Sequence, residues 1–230
     1  MIAGIDEAGK GPVLGPMCVA GLLLDEKKLP ALTRLGVKDS KLLTPKKREA
    51  LEVEIKKLAD KYFILEVSPK QIDELRKMMT MNEIMVACYV KVLNELRPDS
   101  AFVDAADVIA ERFGENIKKK YTEKIELISE HNADEKYPIV SAASILAKIQ
   151  RDALVRKIGK SIGIEIGSGY PADPKTIKFL ESWVKEHGKL PDFARSSWET
   201  SKNIIEKASQ RSFSDYFGKK TADERRLTQI

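Results

Sequence analysis

Short, nearly continuous apolar runs alternate along this chain with longer stretches in which apolar residues recur every three or four positions. The short runs predict strands. Ile2, Ala3 and Ile5 begin the first, and Met17-Cys18-Val19-Ala20-Gly21-Leu22-Leu23-Leu24 is the second, apolar enough to be buried on both faces. Phe63 to Val67, Ala101 to Asp104, and Lys124 to Ser129 read as the third, fourth and fifth. The periodic stretches predict helices. Thr44-Pro45 opens one whose stripe is Leu51, Ile55, Leu58 and Tyr62, and Ser68-Pro69 opens a short one through Lys77. Asn82 can start the next, carried by Ile84, Ala87, Cys88, Lys91 and Val92 and stopped at Pro98. A lysine-rich helix follows Asp104. Ser141 can cap a strong helix with Ala142, Ile145, Leu146, Ile149 and Ala153 on its apolar side, ended by Gly159. Asp173-Pro174 caps a last amphipathic helix through Phe179, Leu180, Trp183, Val184 and His187 to Gly188. Beyond Trp198 the chain turns polar.

Early strands joined by short loops are expected to be antiparallel, and strands separated by helices parallel. The expectation is therefore an α/β fold, a five-stranded mixed sheet flanked by helices on both faces. In such sheets the functional crevice lies beyond the carboxyl ends of the parallel strands. Asp6 and Asp104 each close one such strand, and they converge if strands one and four are neighbours.

At 230 residues the chain is long enough for one domain with a substantial core. A hydrophobic fraction of 43% with 33% charged residues describes a globular protein. The net charge of +5 favours a polyanionic partner. Cys18 and Cys88 both sit in apolar runs and read as buried thiols. No apolar run approaches the ~20 residues of a membrane span, and no secretion signal is visible. The expected location is the cytoplasm.

Chemistry concentrates at the start. After the first strand come adjacent acids, Asp6 and Glu7, then Gly9-Lys10-Gly11, with Pro12 and Pro16 stiffening the exit. Paired carboxylates at a strand end can hold a divalent cation, and glycines let backbone approach a ligand closely. Gly4 to Lys10 also spells G-x-x-x-x-G-K, but a nucleotide-binding loop needs Ser or Thr next, and Gly11 stands there. A tight turn with solvated acids is the plain alternative. Asp6, Glu7, Asp104 and Asp134 form the candidate acidic cluster. Crowded carboxylates repel one another, and hard oxygen donors select Mg²⁺ or Mn²⁺ over zinc. Two such ions about 3.5–4 Å apart suit phosphodiester hydrolysis. His131 reads equally as a loop histidine or a proton-transfer group.

The strings GIDEAGKGPVLGP, VKDSK, Asp104, HNADEKYPIVSAASILAK and GSGYPADPKT resemble ribonuclease HII, particularly its archaeal form, in order from Gly4 to Lys178. The resemblance implies the ribonuclease H-like fold. It also implies metal-dependent endonucleolysis of the RNA strand of RNA/DNA hybrids and of single ribonucleotides in duplex DNA. Cleavage 5′ of the ribonucleotide leaves a 3′-hydroxyl and a 5′-phosphate, a chemistry suited to ribonucleotide and primer removal. By motif, Asp6, Glu7, Asp104 and Asp134 correspond to the metal-binding acids, with Asp6 the expected bridge. Gly9, Lys10, Gly11 and Tyr170 correspond to the residues that recognise the ribonucleotide. Lys38, Lys41, Asn82, Ser141, Ser144 and Lys148 are candidate phosphate contacts. The chain departs from the family's common pattern at Lys10, where Arg is frequent, at Asn132 for Lys, and at Ala172 for Ser.

Residues 210 to 217, QRSFSDYF, resemble the box with which replication and repair proteins bind the sliding clamp, PCNA. Gln210 could bond to the clamp while Phe213, Tyr216 and Phe217 fill its apolar pocket. Packing against the protein's own last helix is the alternative. The expected division is a catalytic domain over 1–178, a helical C-terminal extension over 179–209 and the tail over 210–230, in a chain acting as a monomer. Two rivals stand beside this reading, an NTPase using Gly4 to Lys10 and a non-catalytic hybrid-binding module. The second should lack at least one of the four acids, and all are present.

Overall fold

Every residue of β2 (Met17–Leu24) is buried, and its side chains alternate between two separate cores. Met17, Val19 and Leu23 face one, while Ala20, Leu22 and Leu24 face the other, as the two-residue period of a strand dictates. A computed structural model, which describes residues 1–37 and 44–210, shows how both faces are covered. The elements begin with β1 (Ile2–Ala8), β2, α1 (Leu29–Arg34), α2 (Pro45–Leu58), β3 (Lys61–Val67) and α3 (Pro69–Arg76). They continue with α4 (Met81–Leu96), β4 (Ser100–Asp104), α5 (Ala110–Lys120), β5 (Glu126–Glu130) and α6 (Ala133–Lys136). Next come α7 (Pro138–Ile162) and α8 (Pro174–His187), and the helix over 199–210 is α9.

The strands form one five-stranded sheet in the order β3-β2-β1-β4-β5. β1 pairs antiparallel with β2 and parallel with β4, so the mixed sheet expected from the connections is the sheet that forms. Residues of α3, α4 and α5 pack on one face and residues of α1, α2 and α7 on the other. Among the described residues no helix is long and apolar enough to cross a membrane.

A close approach of backbone between layers is at Gly4, in the middle of β1. A Cβ there would overlap the backbone of Ile139 and Val140 in α7, so glycine is what lets the helix lie on the central strand. This disposes of the nucleotide-loop reading. Gly4 is a paired strand residue opposite Leu22, and the loop after Ala8 leads into another strand instead of a helix.

Several expected boundaries move for identifiable reasons. Tyr62 belongs to β3, paired with Leu22, because α2 ends at Leu58. Helix α4 starts at Met81, not Asn82, since Thr80 and Glu83 form a reciprocal capping box. Ser141 is not a cap. Pro138 occupies the first turn, α7 begins there, and Ser141 is buried inside it. Gly159 does not end α7, which runs to Ile162 and stops at Gly163 in the left-handed conformation. A Cβ at position 159 would stand 3.2 Å from the Ile164 carbonyl, so this glycine serves close packing within the helix.

A third core cluster joins Val13 and Leu14 to Val155 of α7, to Phe179, Leu180 and Val184 of α8, and to Ile204 of α9. Burial therefore persists past Trp198. Helix α8 straddles residue 178, the expected edge of the catalytic unit, and α8 and α9 pack on the exit of the glycine loop.

Candidate active site

The parallel register Ile5↔Val103 brings the two following residues, Asp6 and Asp104, to the same edge of the sheet. Carboxylate oxygens of Asp6, Glu7 and Asp104 all lie within 4.8 Å of one another. Asp6 is only 5% exposed. Burial pushes its carboxyl well above the usual range, and the charges of Glu7 and Asp104 push it further, while a Ser144 hydroxyl bond opposes both. The Glu7 N–H also donates to Asp6 Oδ1 at 2.7 Å. Asp104 is pushed up to about 6, chiefly by burial, with the Ala133 N–H opposing and the charges of Glu7 and Asp134 adding to the rise. That Ala133 bond measures 2.8 Å.

Asp6 and Asp104, both raised and close together, need a proton or a cation beside them. Their oxygens are hard donors, and no Cys or His joins the group, so the set fits Mg²⁺ or Mn²⁺.

Asp134 sits in the first turn of α6, directly after the Ala133 that bonds Asp104. It is not in the close group of three, but its charge acts on Asp104. Its backbone carbonyl accepts from the Ser141 hydroxyl, which also lies 3.2 Å from the Tyr137 carbonyl. Ser141 thus holds the short turn carrying Asp134. Just before this turn Asn132 adopts a left-handed backbone (φ 55°), a conformation Asn tolerates better than Lys.

The glycine loop borders the acids. Lys10 Nζ donates to the carbonyl of Ala106, two residues past Asp104, and so links the loop to the end of β4. A Cβ at Gly11 would stand 4.0 Å from the Tyr170 ring, so loop and tyrosine are neighbours. Their proximity is stitched by backbone, since the Gly169 carbonyl accepts from Val13 N–H at 2.8 Å and from Leu14 N–H at 3.1 Å. The Arg151 guanidinium lies 5.0 Å from the centre of the Tyr170 ring and donates to the Ser168 carbonyl at 2.6 Å.

The other candidates scatter. Ser144 bonds Asp6 and so lies at the site. Lys148, one turn on, pairs with Asp152 at 3.1 Å. Asn82 lies in the first turn of α4, and His131 Nε2 donates to the Val108 carbonyl at 3.1 Å. Gln210 is exposed at the end of α9. Lys38, Lys41, Phe213, Tyr216 and Phe217 lie outside the described residues.

Four supporting residues carry no signal in the sequence pattern. Tyr89, fully buried, donates from its hydroxyl to the Asp104 backbone carbonyl. Arg151 is buried in α7. Arg195 and Trp198 reach back to the glycine loop from the far end of the chain. Only the low frequency of fully buried arginines marks two of them as unusual, and burial is not readable from one sequence.

Comparison with known proteins agrees with this geometry. The family model described as Ribonuclease HII matches residues 3–201. A ribonuclease HII of Methanosarcina barkeri is 59% identical over 214 residues, 90% of this chain and 96% of the relative. The crystal structure of ribonuclease H2 from Pyrococcus horikoshii superposes with a TM-score of 0.85 at 45% identity, covering 90% of this chain and 98% of the other. The ribonuclease HII of a PCNA:RNase HII complex from Archaeoglobus fulgidus gives a TM-score of 0.81 at 42% identity, covering 89% and 96%.

Proposed function

Because the chain belongs to the ribonuclease HII family, and is thereby an RNA-hydrolysing nuclease, we propose that it is a metal-dependent endoribonuclease acting at RNA–DNA junctions. It cuts the RNA strand of RNA/DNA hybrids and the 5′ side of single ribonucleotides in duplex DNA. The observation that carries this reading is the group of three carboxylates, mutually within 4.8 Å, beside a glycine loop whose Gly11 is exposed and next to Tyr170.

Asp6, Glu7 and Asp104, with Asp134 next to them, are the residues that would hold Mg²⁺ or Mn²⁺. Bound there, the cations lower the pKa of a water and offset the charge that develops on the phosphate. In the hydrolysis a water oxygen bonds to phosphorus, the P–O3′ bond breaks, and the departing 3′-oxygen takes up a proton. The products are a 3′-hydroxyl and a 5′-phosphate.

The chain's own contribution is placement. The N–H groups of the Gly9–Gly11 loop and the Tyr170 ring offer a hydrogen-bonding and stacking surface for the one sugar that carries a 2′-hydroxyl. Lys10 is tied to Ala106, so the side chain braces the loop and leaves recognition to the backbone. That arrangement explains why a lysine serves where an arginine is common. The net charge of +5 supports a polyanionic substrate.

A sliding-clamp partnership through Gln210, Phe213, Tyr216 and Phe217 belongs to the same reading, as does a cytoplasmic location. It is supported by the spacing of the box and by the PCNA complex of the Archaeoglobus relative. Calorimetric titration of the clamp should give binding that disappears in Phe213→Ala/Phe217→Ala.

The deciding experiment is cleavage of a DNA duplex with one ribonucleotide, with Mg²⁺ or Mn²⁺, by the wild type and Asp6→Asn. One cut 5′ of the ribonucleotide is expected, slowed at least about 100-fold in the variant, since a cation supplies several kcal/mol of charge stabilisation. Folded wild-type protein that cuts with neither metal overturns the reading.

A further inference from the structure

The loop beside the acids is held from the other end of the chain. Arg195 Nη2 donates to the Gly9 carbonyl at 2.6 Å and to the Gly15 carbonyl at 3.0 Å. Its Nη1 donates to the Lys10 carbonyl at 2.9 Å, and its Nε to Gly15 at 3.2 Å. Trp198 Nε1 donates to the Gly11 carbonyl at 3.1 Å, and its ring lies 4.8 Å from the guanidinium carbon. Three consecutive carbonyls, those of Gly9, Lys10 and Gly11, are thus drawn towards the buried Arg195 and the half-buried Trp198.

A planar trans peptide points its N–H opposite its C=O. Fixing the Gly9 and Lys10 carbonyls on Arg195 therefore turns the N–H groups of Lys10 and Gly11 the other way. Among the described residues no backbone group accepts from either of them. Gly11 is exposed, and the Tyr170 ring stands next to it.

Packing alone does not account for this arginine. It is fully buried, and every acceptor found for it among the described residues is a carbonyl oxygen. Burying a charged group with no carboxylate bonded to it is costly, and an apolar side chain of similar volume generally fills such a space more cheaply. What an apolar residue cannot supply is a rigid fork of five N–H donors that fixes several carbonyls in one pattern.

The fork is itself anchored. Asp73 of α3 accepts from Ser196 N–H at 2.7 Å and Ser196 Oγ at 2.8 Å, and from Ser197 N–H at 3.1 Å and Ser197 Oγ at 2.6 Å. The Arg195 N–H adds a bond to the Val13 carbonyl at 2.9 Å.

We propose that Arg195, with Trp198 beside it, is the positioning residue for ribonucleotide recognition. It holds the Lys10 and Gly11 N–H groups towards the sugar and so sets how sharply the enzyme separates RNA from DNA at the cleavage position. The inference rests on the junction-nuclease reading above, and it assigns Arg195 no contact with substrate or cation.

The test uses the full chain and the variants Arg195→Lys and Trp198→Phe. Four quantities are measured. They are kcat and KM on a duplex with one ribonucleotide, the ratio of affinities for that duplex and its all-DNA counterpart in EDTA, and Mn²⁺ affinity by calorimetry. Lysine keeps the charge and loses the fork. Arg195→Lys should raise KM about tenfold, the equivalent of one lost hydrogen-bonding position, and move the affinity ratio towards one. Its kcat and Mn²⁺ affinity should stay near wild type. Trp198→Phe, which removes one donor, should change both substrate readouts in the same direction by a smaller factor, and it carries the test alone if Arg195→Lys does not fold. A folded variant with wild-type KM and an unchanged ratio overturns the proposal. So does one in which kcat and Mn²⁺ affinity fall with the ratio intact, because that describes general loosening. Wild-type protein that neither cuts nor prefers the ribonucleotide duplex sinks the junction-nuclease reading first, and this inference with it.

Discussion

The hydroxyl of Tyr89, in the middle of α4, donates to the backbone carbonyl of Asp104 at 3.1 Å. The ring is fully buried and meets Phe113 edge-on at 5.0 Å, so helix and strand end are locked together from below the acids. Tyr89→Phe should cost ~1 kcal/mol, the net worth of one buried hydrogen bond. Urea denaturation measures that loss. A several-fold drop in kcat should accompany it, because the freed carbonyl belongs to a residue of the acidic site. A variant with full stability and full activity would show that Asp104 needs no support from α4.

Removal of metal should expose the strain among the carboxylates. Asp104 is raised to about 6 from an ordinary 3.8, and Asp6 is raised as well, chiefly by burial in each case. Between those two values the folded chain binds more protons than the unfolded one, so stability falls as pH rises through the window. In EDTA the melting temperature should therefore drop from about pH 4 to about pH 6, and Mg²⁺ should raise it more at the higher pH. Scanning calorimetry on wild type and Asp104→Asn checks this. The slope should flatten in the variant.

Asp73 has the opposite sign. Burial alone would raise its carboxyl, but hydrogen bonds from Ser197 and Ser196 outweigh that and hold it below the ordinary 3.8. Its contribution is complete above the unfolded value and disappears as pH falls through the lower folded one. Asp73→Asn should lose about 1–2 kcal/mol at neutral pH, from weakened charge-assisted bonds. The gap to wild type should close in strong acid. Equal denaturation midpoints at neutral pH would mean that the Ser196-Ser197 latch holds nothing.

Gly4→Ala tests how tightly α7 lies on the sheet. The added methyl overlaps backbone atoms of Ile139 and Val140, which cannot swing aside as a side chain can. The expected loss is about 1–3 kcal/mol or more, as for other overpacked cores, read from chemical denaturation. Full stability would show that the helix can slide outward without cost.

How much could be read from the chain before its fold was seen depends on the range over which each cause acts. Asp104 ends β4, and Asp6 follows the last β1 residue paired with β4, although β1 itself runs on to Ala8. The connections dictate that parallel pair, and the meeting of the two acids follows from topology. Tyr170 next to Gly11 was legible only through family resemblance, since the tie is a backbone bond between Gly169 and residues 13 and 14. Ser141 was misplaced as a cap because a hydroxyl before an apolar run fits both a cap and a buried helical position. Pro138 at the first turn decides for the second. Gly159 looked like a terminator because crowding by the Ile164 carbonyl leaves no mark in the sequence around it. Arg195 was unreadable for a related reason, since its hydrogen-bond acceptors lie far back in the chain and all of them are backbone carbonyls.

That separation along the chain sets an order of events during synthesis. Asp6 and Asp104 can pair once β4 has been made, before half of the 230 residues exist. The arginine that shapes the sugar-facing loop follows Lys10 by 185 residues. At a synthesis rate of about 5–20 residues per second, that interval lasts on the order of 10–40 s. A nascent or prematurely ended chain that stops between residues 134 and 195 therefore carries all four acids and lacks the brace on its loop. On the proposed reading, the acids that would hold a cation are made first, and the arginine that would brace the sugar-facing loop is made almost last.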